Sequence, residues 1–139
     1  MEAIQISRAK FKDLKMVPDV ARCDRWISDS LSELGDGSLA YEHARRSMNV
    51  SELMQERLPI MFSEFALGKA LTVLENYEDA EKHLTNSYKA AISRESSGMN
   101  WEFIVKVQRQ LIKLLRAQGR ISEAEEIETK IASVTEVIE

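Results

Sequence analysis

The sequence has few of the residues that make turns, cross-links or membrane spans. It contains five glycines and two prolines in 139 residues, about half of average usage, which disfavours an all-β fold because strands need many turns. The single cysteine, Cys23, excludes an internal disulfide and is typical of a reducing compartment. No apolar run is long enough to cross a bilayer, and the N-terminus lacks a signal-peptide pattern. We therefore expect a cytoplasmic protein with no membrane partner.

The charge balance is also informative. Nineteen lysines and arginines stand against 23 acidic residues, for a net charge of −4, whereas a nucleic-acid binder is usually strongly basic. We therefore expect no nucleic-acid partner. Hydrophobic residues make up 44% of the chain and charged residues 30%, a balance that is typical of a folded domain with a core. The length fits one such domain, over 1–139.

Apolar residues recur at spacings of three and four between a few turn-forming breaks, which is typical of amphipathic helices. Gly119 suits a left-handed residue that closes a helix, and Pro18 and Pro59 suit the first turn of one. The pattern predicts an all-α fold with helices over about 19–34, 38–57, 59–75, 78–97, 101–118 and 121–138, preceded by a leading helix over about 2–15.

The apolar skeleton recurs along the chain. In the middle it reads Leu67-Gly68, Leu71, Tyr77, Ala80, Leu84 and Tyr88. Similar skeletons occur 44 residues later and 40 residues earlier, and a fixed period of this kind is the signature of a repeat architecture. The small residues Ala40, Ala80 and Ala124 occupy equivalent positions. They predict that the second helix of each pair lies close against the first.

This skeleton resembles the tetratricopeptide repeat, whose W-x2-L-G-x2-Y and A-x3-F pattern has the same internal spacing. The match is best over about 61–94, with further repeats over about 21–54 and 105–138. Periods of 40 and 44 residues are similar to the longer-helix variety in kinesin light chains and in bacterial and archaeal regulators. The resemblance implies an antiparallel helix-pair solenoid of about three repeats plus the leading helix.

The sequence shows no sign of catalysis. It contains no phosphate-binding loop, no dinucleotide-binding glycine pattern and no HExxH stretch. His43 and His83 are 40 residues apart, so we interpret them as solvated helix residues rather than metal ligands. Cys23 has no neighbouring base and is interpreted as a buried or half-buried helix residue. We predict a protein that is not an enzyme and needs neither cofactor nor metal.

A basic stripe runs along the fifth of the main helices. Lys106, Arg109, Lys113 and Arg116 fall within an arc of about 80° on one face of that helix. In the tetratricopeptide family, the exposed side of each first helix lines a concave groove that binds extended peptides or partner helices. Carried over by repeat position, the resemblance implies a groove lined by Arg22, Arg25, Phe62, Phe65, Lys69, Lys106, Arg109, Lys113 and Arg116.

Two interpretations of these residues remain open. The cations favour an acidic segment, a carboxyl terminus or a phosphorylated peptide, because such ligands gain charge-assisted hydrogen bonds. Alternatively, the stripe is only a solvated helix face. Phe62 and Phe65 either contact a ligand or wedge the first repeat against the second. Trp26 and Trp101 are expected to pack between helices.

The leading hypothesis is a non-catalytic interaction module that binds an acidic or extended peptide of a partner protein in a concave basic groove. An alternative is a fragment of a larger signalling or transcriptional regulator, in which these helices sense a ligand or pack against another domain. A further alternative is self-association through the leading helix, over about 2–15.

Overall fold

The described part of the molecule consists of helices. The computed structural model describes residues 17–93 and 101–138, with side chains described over 19–93 and 101–133. The helices are α1 Val17–Glu33, α2 Gly37–Met54, α3 Arg57–Val73, α4 Tyr77–Ser93, α5 Trp101–Ala117 and α6 Ile121–Ile138. No strand occurs in these two ranges. The all-α prediction is confirmed for these ranges, and the predicted helices are found there with shifts of a few residues at their ends. The last part of the helix predicted over about 78–97 lies outside the described residues, from 94 onward. The leading helix over about 2–15 lies outside the described residues.

The same turn ends the first helix of each pair. After α1, the backbone N–H groups of Gly35 and Asp36 donate to Ser32 and Leu31. Equivalent bonds follow α3 and α5, at Glu75-Asn76 and at Gly119-Arg120. This pair of hydrogen bonds satisfies the last free carbonyl groups of the helix and requires a residue in the left-handed conformation. That residue is Gly35 with φ +86°, Glu75 with φ +62° and Gly119 with φ +77°, which confirms the prediction for Gly119.

Successive helices pack against each other. In addition, α1 contacts α3, and α3 contacts α5. Short connections reverse the chain between α1 and α2, between α3 and α4, and between α5 and α6. Because α3 contacts α1, α2, α4 and α5, it is the most enclosed helix of the described set. The first helices of the three pairs therefore lie side by side, and residues from all three can contribute to one surface.

Small residues set the distance between the helices of each pair. Ala40, Ala80 and Ala124 have no exposed surface, as predicted. A Cβ added to Gly68 would lie 2.5 Å from the side chain of Leu84, which is itself fully buried. The interface between two buried helices is packed tightly enough that an extra methyl group must displace a neighbour. The glycine of the motif is thus required by the close approach of α3 and α4.

Tyr41 connects three of the hydrophobic clusters among the described residues. It is half-buried and packs against a cluster at α1 and α2, a second between α2 and α3, and a third that extends to α5. Cys23 is fully buried, in agreement with its interpretation as a helix-packing residue. Trp26 and Trp101 are 50% and 41% exposed, so the prediction that they pack between helices is wrong. Both indoles lie at the margins of cavities.

An ion-pair network joins the last two pairs. Arg120, in the turn before α6, donates to both carboxylate oxygens of Glu81 on α4, at 2.8 and 3.3 Å. It also bonds to Glu123. The hydrogen bond to Glu81 raises the pKa of Arg120 most, and the bond to Glu123 raises it further. Within the ranges described, no helix is both long and apolar enough to span a membrane.

Candidate functional site: a basic cavity on the first helices

A cavity of about 300 Å³ opens where α1, α3 and α5 lie side by side. We call it the basic cavity. It is lined by Arg22, Arg25, Trp26, Asp29, Phe62, Phe65, Ala66, Phe103 and Lys106. Five of these residues, namely Arg22, Arg25, Phe62, Phe65 and Lys106, belong to the groove predicted from the sequence. They come from three helices that are far apart in the chain, and the packing of the first helices brings them together.

Three phenylalanines form one wall of the basic cavity. The rings of Phe62 and Phe103 meet edge to face, with centroids 5.1 Å apart and an interplanar angle of 85°. Phe65 meets Phe103 in a similar way, at 5.5 Å and 69°. Aromatic rings prefer this geometry to a direct stack. These ring contacts join α3 to α5, so Phe62 and Phe65 also contact the third pair.

Cations lie over the faces of these rings. The guanidinium carbon of Arg25 is 5.6 Å from the centroid of Phe62, and Lys106 Nζ is 5.4 Å from that of Phe65. Both distances fall within the range of cation–π attraction. The three phenylalanines therefore give the cavity an apolar wall, and two of their rings also attract the positive charges of Arg25 and Lys106.

Arg25 has the least favourable environment of the cavity cations. It is half-buried, and its Nη1 donates to Ser47 Oγ at 3.4 Å. Burial lowers the pKa of Arg25, the neighbouring charge of Arg22 lowers it further, and Asp29 raises it. Both lowering effects disfavour the charged form. An anion that enters the basic cavity would offset them, so this position favours the binding of negative charge.

Few carboxylates balance the cavity cations. Arg22 is exposed and has Asp19 at 3.7 Å, a pair of adjacent turns on α1. Among the described residues, Arg25 and Lys106 have no carboxylate within 4.0 Å. Asp29 lines the cavity, but its Oδ1 lies 3.6 Å from Lys69 Nζ. The cavity thus carries a local excess of positive charge in a chain of net charge −4.

Lys69 stands apart from the other predicted cations. Its side chain is only 13% exposed and lies between Asp29 and Glu33, with Glu33 at 3.9 Å. Its Nζ is also 5.6 Å from the Phe65 centroid. The structure therefore uses the charge of Lys69 to hold α1 and α3 together, behind the wall of the basic cavity.

The four cations of the predicted basic stripe on α5 have different neighbours. Lys106 lines the basic cavity. Arg109 lines a different cavity, of about 320 Å³, with Ile112 of α5 and three residues of α6. Arg116 bonds to Glu128 of α6, which raises the pKa of Arg116. Lys113 is exposed. An arc of about 80° is wide enough that its two edges face different neighbours, so Lys106 and Arg116 contact different parts of the molecule.

The histidines form a pair of equivalent contacts that sequence reasoning missed. His43 Nδ1 lies 2.9 Å from Asp24 Oδ1, and His83 Nδ1 lies 2.5 Å from Glu64 Oε2. The histidine side chains are only 12% and 22% exposed, so their interpretation as solvated residues is wrong. The signal was present in the sequence, because each histidine follows its carboxylate by 19 residues.

Sequence reasoning also missed two cavity residues. Phe103 was not distinguished from the rest of its helix, yet it holds both other rings of the wall. Trp26 was expected to pack between helices, yet its half-exposed indole lines the basic cavity. Amphipathic spacing ranks residues as inward or outward, whereas these two lie at the boundary between the two faces.

The comparisons with known proteins leave the site to be interpreted from its own chemistry. The chain matches none of the protein-family models, curated proteins or solved structures with which it was compared. In the part of the chain that the structure describes, no three His, Cys, Asp or Glu side chains are grouped so that they could hold a metal ion. The basic cavity is the feature with the clearest chemical preference, which is for an anion next to an apolar surface.

Proposed function

We propose that this protein is a non-catalytic interaction module that binds an acidic, extended peptide segment of a partner protein, with the basic cavity as the anchoring point. The observation that carries the proposal is the convergence of Arg22, Arg25 and Lys106 on one aromatic-walled cavity. These cations have little counter-charge nearby. An acidic side chain of the peptide would supply it.

A tetratricopeptide-like array is the framework we propose for this site. Three features support it: the sequence resemblance, the three equivalent turns after α1, α3 and α5, and the small residues at the helix crossings. In such an array the first helices present a shared surface to the partner. The contacts of α3 with both α1 and α5 are consistent with this arrangement.

Binding in the basic cavity would combine steering with anchoring. Exposed Arg22 and Lys106 attract a negative segment at long range, and Arg25 lies deeper. A hydrogen bond to a charged group contributes about 1.5–3 kcal/mol, and it is strongest where water is excluded. The phenylalanine wall and the indole of Trp26 provide that apolar surface. Apolar peptide residues next to the acidic side chain would pack there.

The test is peptide binding by charge-reversed variants. Degenerate peptide pools with three fixed glutamates are compared with pools in which glutamine replaces them, by fluorescence anisotropy at two salt concentrations. We expect selective, salt-weakened binding of the glutamate pools. The variant Arg22→Glu/Lys106→Glu should weaken it by at least about tenfold, because it reverses two cavity cations.

The matched control is Arg45→Glu/Lys89→Glu, which changes the net charge equally at exposed positions on α2 and α4. It should keep the affinity within about threefold, since these residues lie away from the basic cavity. Equal loss in both variants would show that binding depends only on total charge. Equal binding of the glutamate and glutamine pools would also contradict the proposal.

A further inference from the structure

The charges around the basic cavity do not match a single carboxylate. Arg22, Arg25 and Lys106 contribute three positive charges, and Asp29 is the one acidic residue in the lining. Asp29 Oδ1 lies 3.6 Å from Lys69 Nζ, and Asp29 also raises the pKa of Arg25. Asp19 lies near Arg22 at 3.7 Å, but an exposed pair of this kind is weak. The lining itself therefore has two more positive than negative charges.

The type of donor also matters. Guanidinium groups present planar forks of N–H donors that match the oxygens of phosphate as well as those of carboxylate. Two such groups and one ammonium offer more donors than the two oxygens of a carboxylate can accept. A phosphomonoester has three strong acceptor oxygens and a charge of about −1.5 to −2 at pH 7. Its charge and acceptor count fit Arg22, Arg25 and Lys106 better.

Arg25, the deepest donor, is also held in position before a ligand arrives. Arg25 lies over Phe62 and donates to Ser47, and Lys106 lies over Phe65. Fixed donors bind an anion with a smaller loss of side-chain entropy than mobile ones. Burial of Arg25 beside Arg22 lowers the pKa of Arg25. A ligand with two negative charges would offset this effect more fully than a ligand with one.

We infer that the anion bound in the basic cavity is a phosphorylated side chain of the partner peptide, held by Arg22, Arg25 and Lys106 against the phenylalanine wall. This inference rests on the proposed function, because it names the ligand chemistry of the same site. It makes the interaction dependent on phosphorylation of the partner. The unmodified peptide, or one with glutamate in place of the phosphorylated residue, then binds in the same cavity but less tightly than the phosphorylated peptide.

The experiment uses peptide pools that differ at one central position. That position is phosphoserine, glutamate or serine, and the flanking positions share one degenerate acidic composition. Binding is measured by anisotropy, and the site is identified by NMR of the indole N–H groups. The chain has two tryptophans. Trp26 lines the basic cavity and Trp101 lines another, so the Trp101 signal serves as an internal reference, with assignment from Trp26→Phe.

We expect the phosphoserine pool to bind about tenfold or more tightly than the glutamate pool, with a shift of the Trp26 indole signal alone. Lowering the pH from 7 to 5.5 should weaken the phosphoserine pool, because phosphate loses part of its second charge near a pKa of about 6. The glutamate pool should change much less. The single variants Arg22→Gln and Lys106→Gln should reduce the preference, whereas Arg45→Gln should retain it.

The outcomes separate this inference from the proposed function. Equal affinity of the phosphoserine and glutamate pools, with Trp26 shifted, would overturn phosphate selectivity and leave an acidic-peptide site. No binding by any pool would overturn both. A phosphoserine preference that shifts Trp101 instead of Trp26, or that survives Arg22→Gln and Lys106→Gln, would place the phosphate elsewhere and overturn the inference.

Discussion

Asp24 and Glu64 each lie on the first helix of a pair and contact a histidine on the second helix. The two contacts differ in depth. The Asp24 side chain is 2% exposed and that of Glu64 is 12% exposed. In the third pair, the equivalent positions hold Gln108 and Ile127. The histidine–carboxylate contact is thus a feature of the first two pairs.

We expect His43→Ala to destabilise the protein more than His83→Ala. Removing His43 takes away one partner of a carboxylate that water scarcely reaches, at a cost of about 1–3 kcal/mol. Water can replace more of the His83 contact, because Glu64 and His83 are more exposed. Urea unfolding at pH 7 measures both values, with exposed Lys82→Ala as the control, expected within about 0.5 kcal/mol of the parent. A larger loss for His83→Ala would contradict this explanation.

At the scale of elements, the three equivalent turns show a local conflict. Two of them place glycine in the left-handed position, whereas the turn after α3 places Glu75 there with φ +62°. A residue with a Cβ is disfavoured in this conformation by about 1–2 kcal/mol. The hydrogen bonds of the turn form all the same, so packing of α3 against α4 determines the conformation despite the unfavourable residue.

Glu75→Gly is therefore expected to stabilise the protein. Relief of the left-handed strain should raise the free energy of unfolding by about 0.5–1 kcal/mol, after the entropy cost of glycine. Gly35→Ala should lower the free energy of unfolding by about 1 kcal/mol, because alanine is disfavoured in the left-handed conformation. The cost is conformational only, because the added Cβ meets no other atom within 4 Å. Urea unfolding of both variants tests the argument. Glu78→Gly, in the first turn of α4, is the control, and equal destabilisation by Glu75→Gly and Glu78→Gly would contradict it.

At the scale of the whole molecule, the helix pairs are linked more strongly than a chain of independent units would be. Tyr41 packs against three hydrophobic clusters. The phenylalanine wall joins α3 to α5, and Lys69 joins α3 to α1. Contacts that cross from one pair to the next make partial unfolding costly, because every separation exposes buried apolar surface.

We expect the described pairs to unfold together. Trp26→Phe leaves a fluorescence probe in α5, and Trp101→Phe leaves one in α1. The urea midpoints of both variants, followed by fluorescence, should agree with the midpoints from far-UV circular dichroism. Separate midpoints for the two probes, with the circular dichroism curve broadened, would indicate that α1 and α5 unfold independently.

The helices, their pairing and the small residues at their crossings could be predicted from the sequence. The reason is that they depend on local spacing. The period of three and four residues marks a helix, Gly35 and Gly119 mark its end, and Ala40 and Ala80 mark a close approach. The left-handed turn at Glu75 could not be predicted in this way, since its side chain does not favour the turn.

Only tertiary packing decided which members of the predicted groove line one cavity. The direction of a side chain on a helix follows from its number, but its neighbours depend on how adjacent helices cut across that face. The stripe on α5 was therefore divided, with Lys106 in the basic cavity and Arg116 bonded to Glu128. The same packing placed Phe103 and Trp26 beside Arg25. The spacing of residues within one helix does not tell which side chains of a neighbouring helix they will contact.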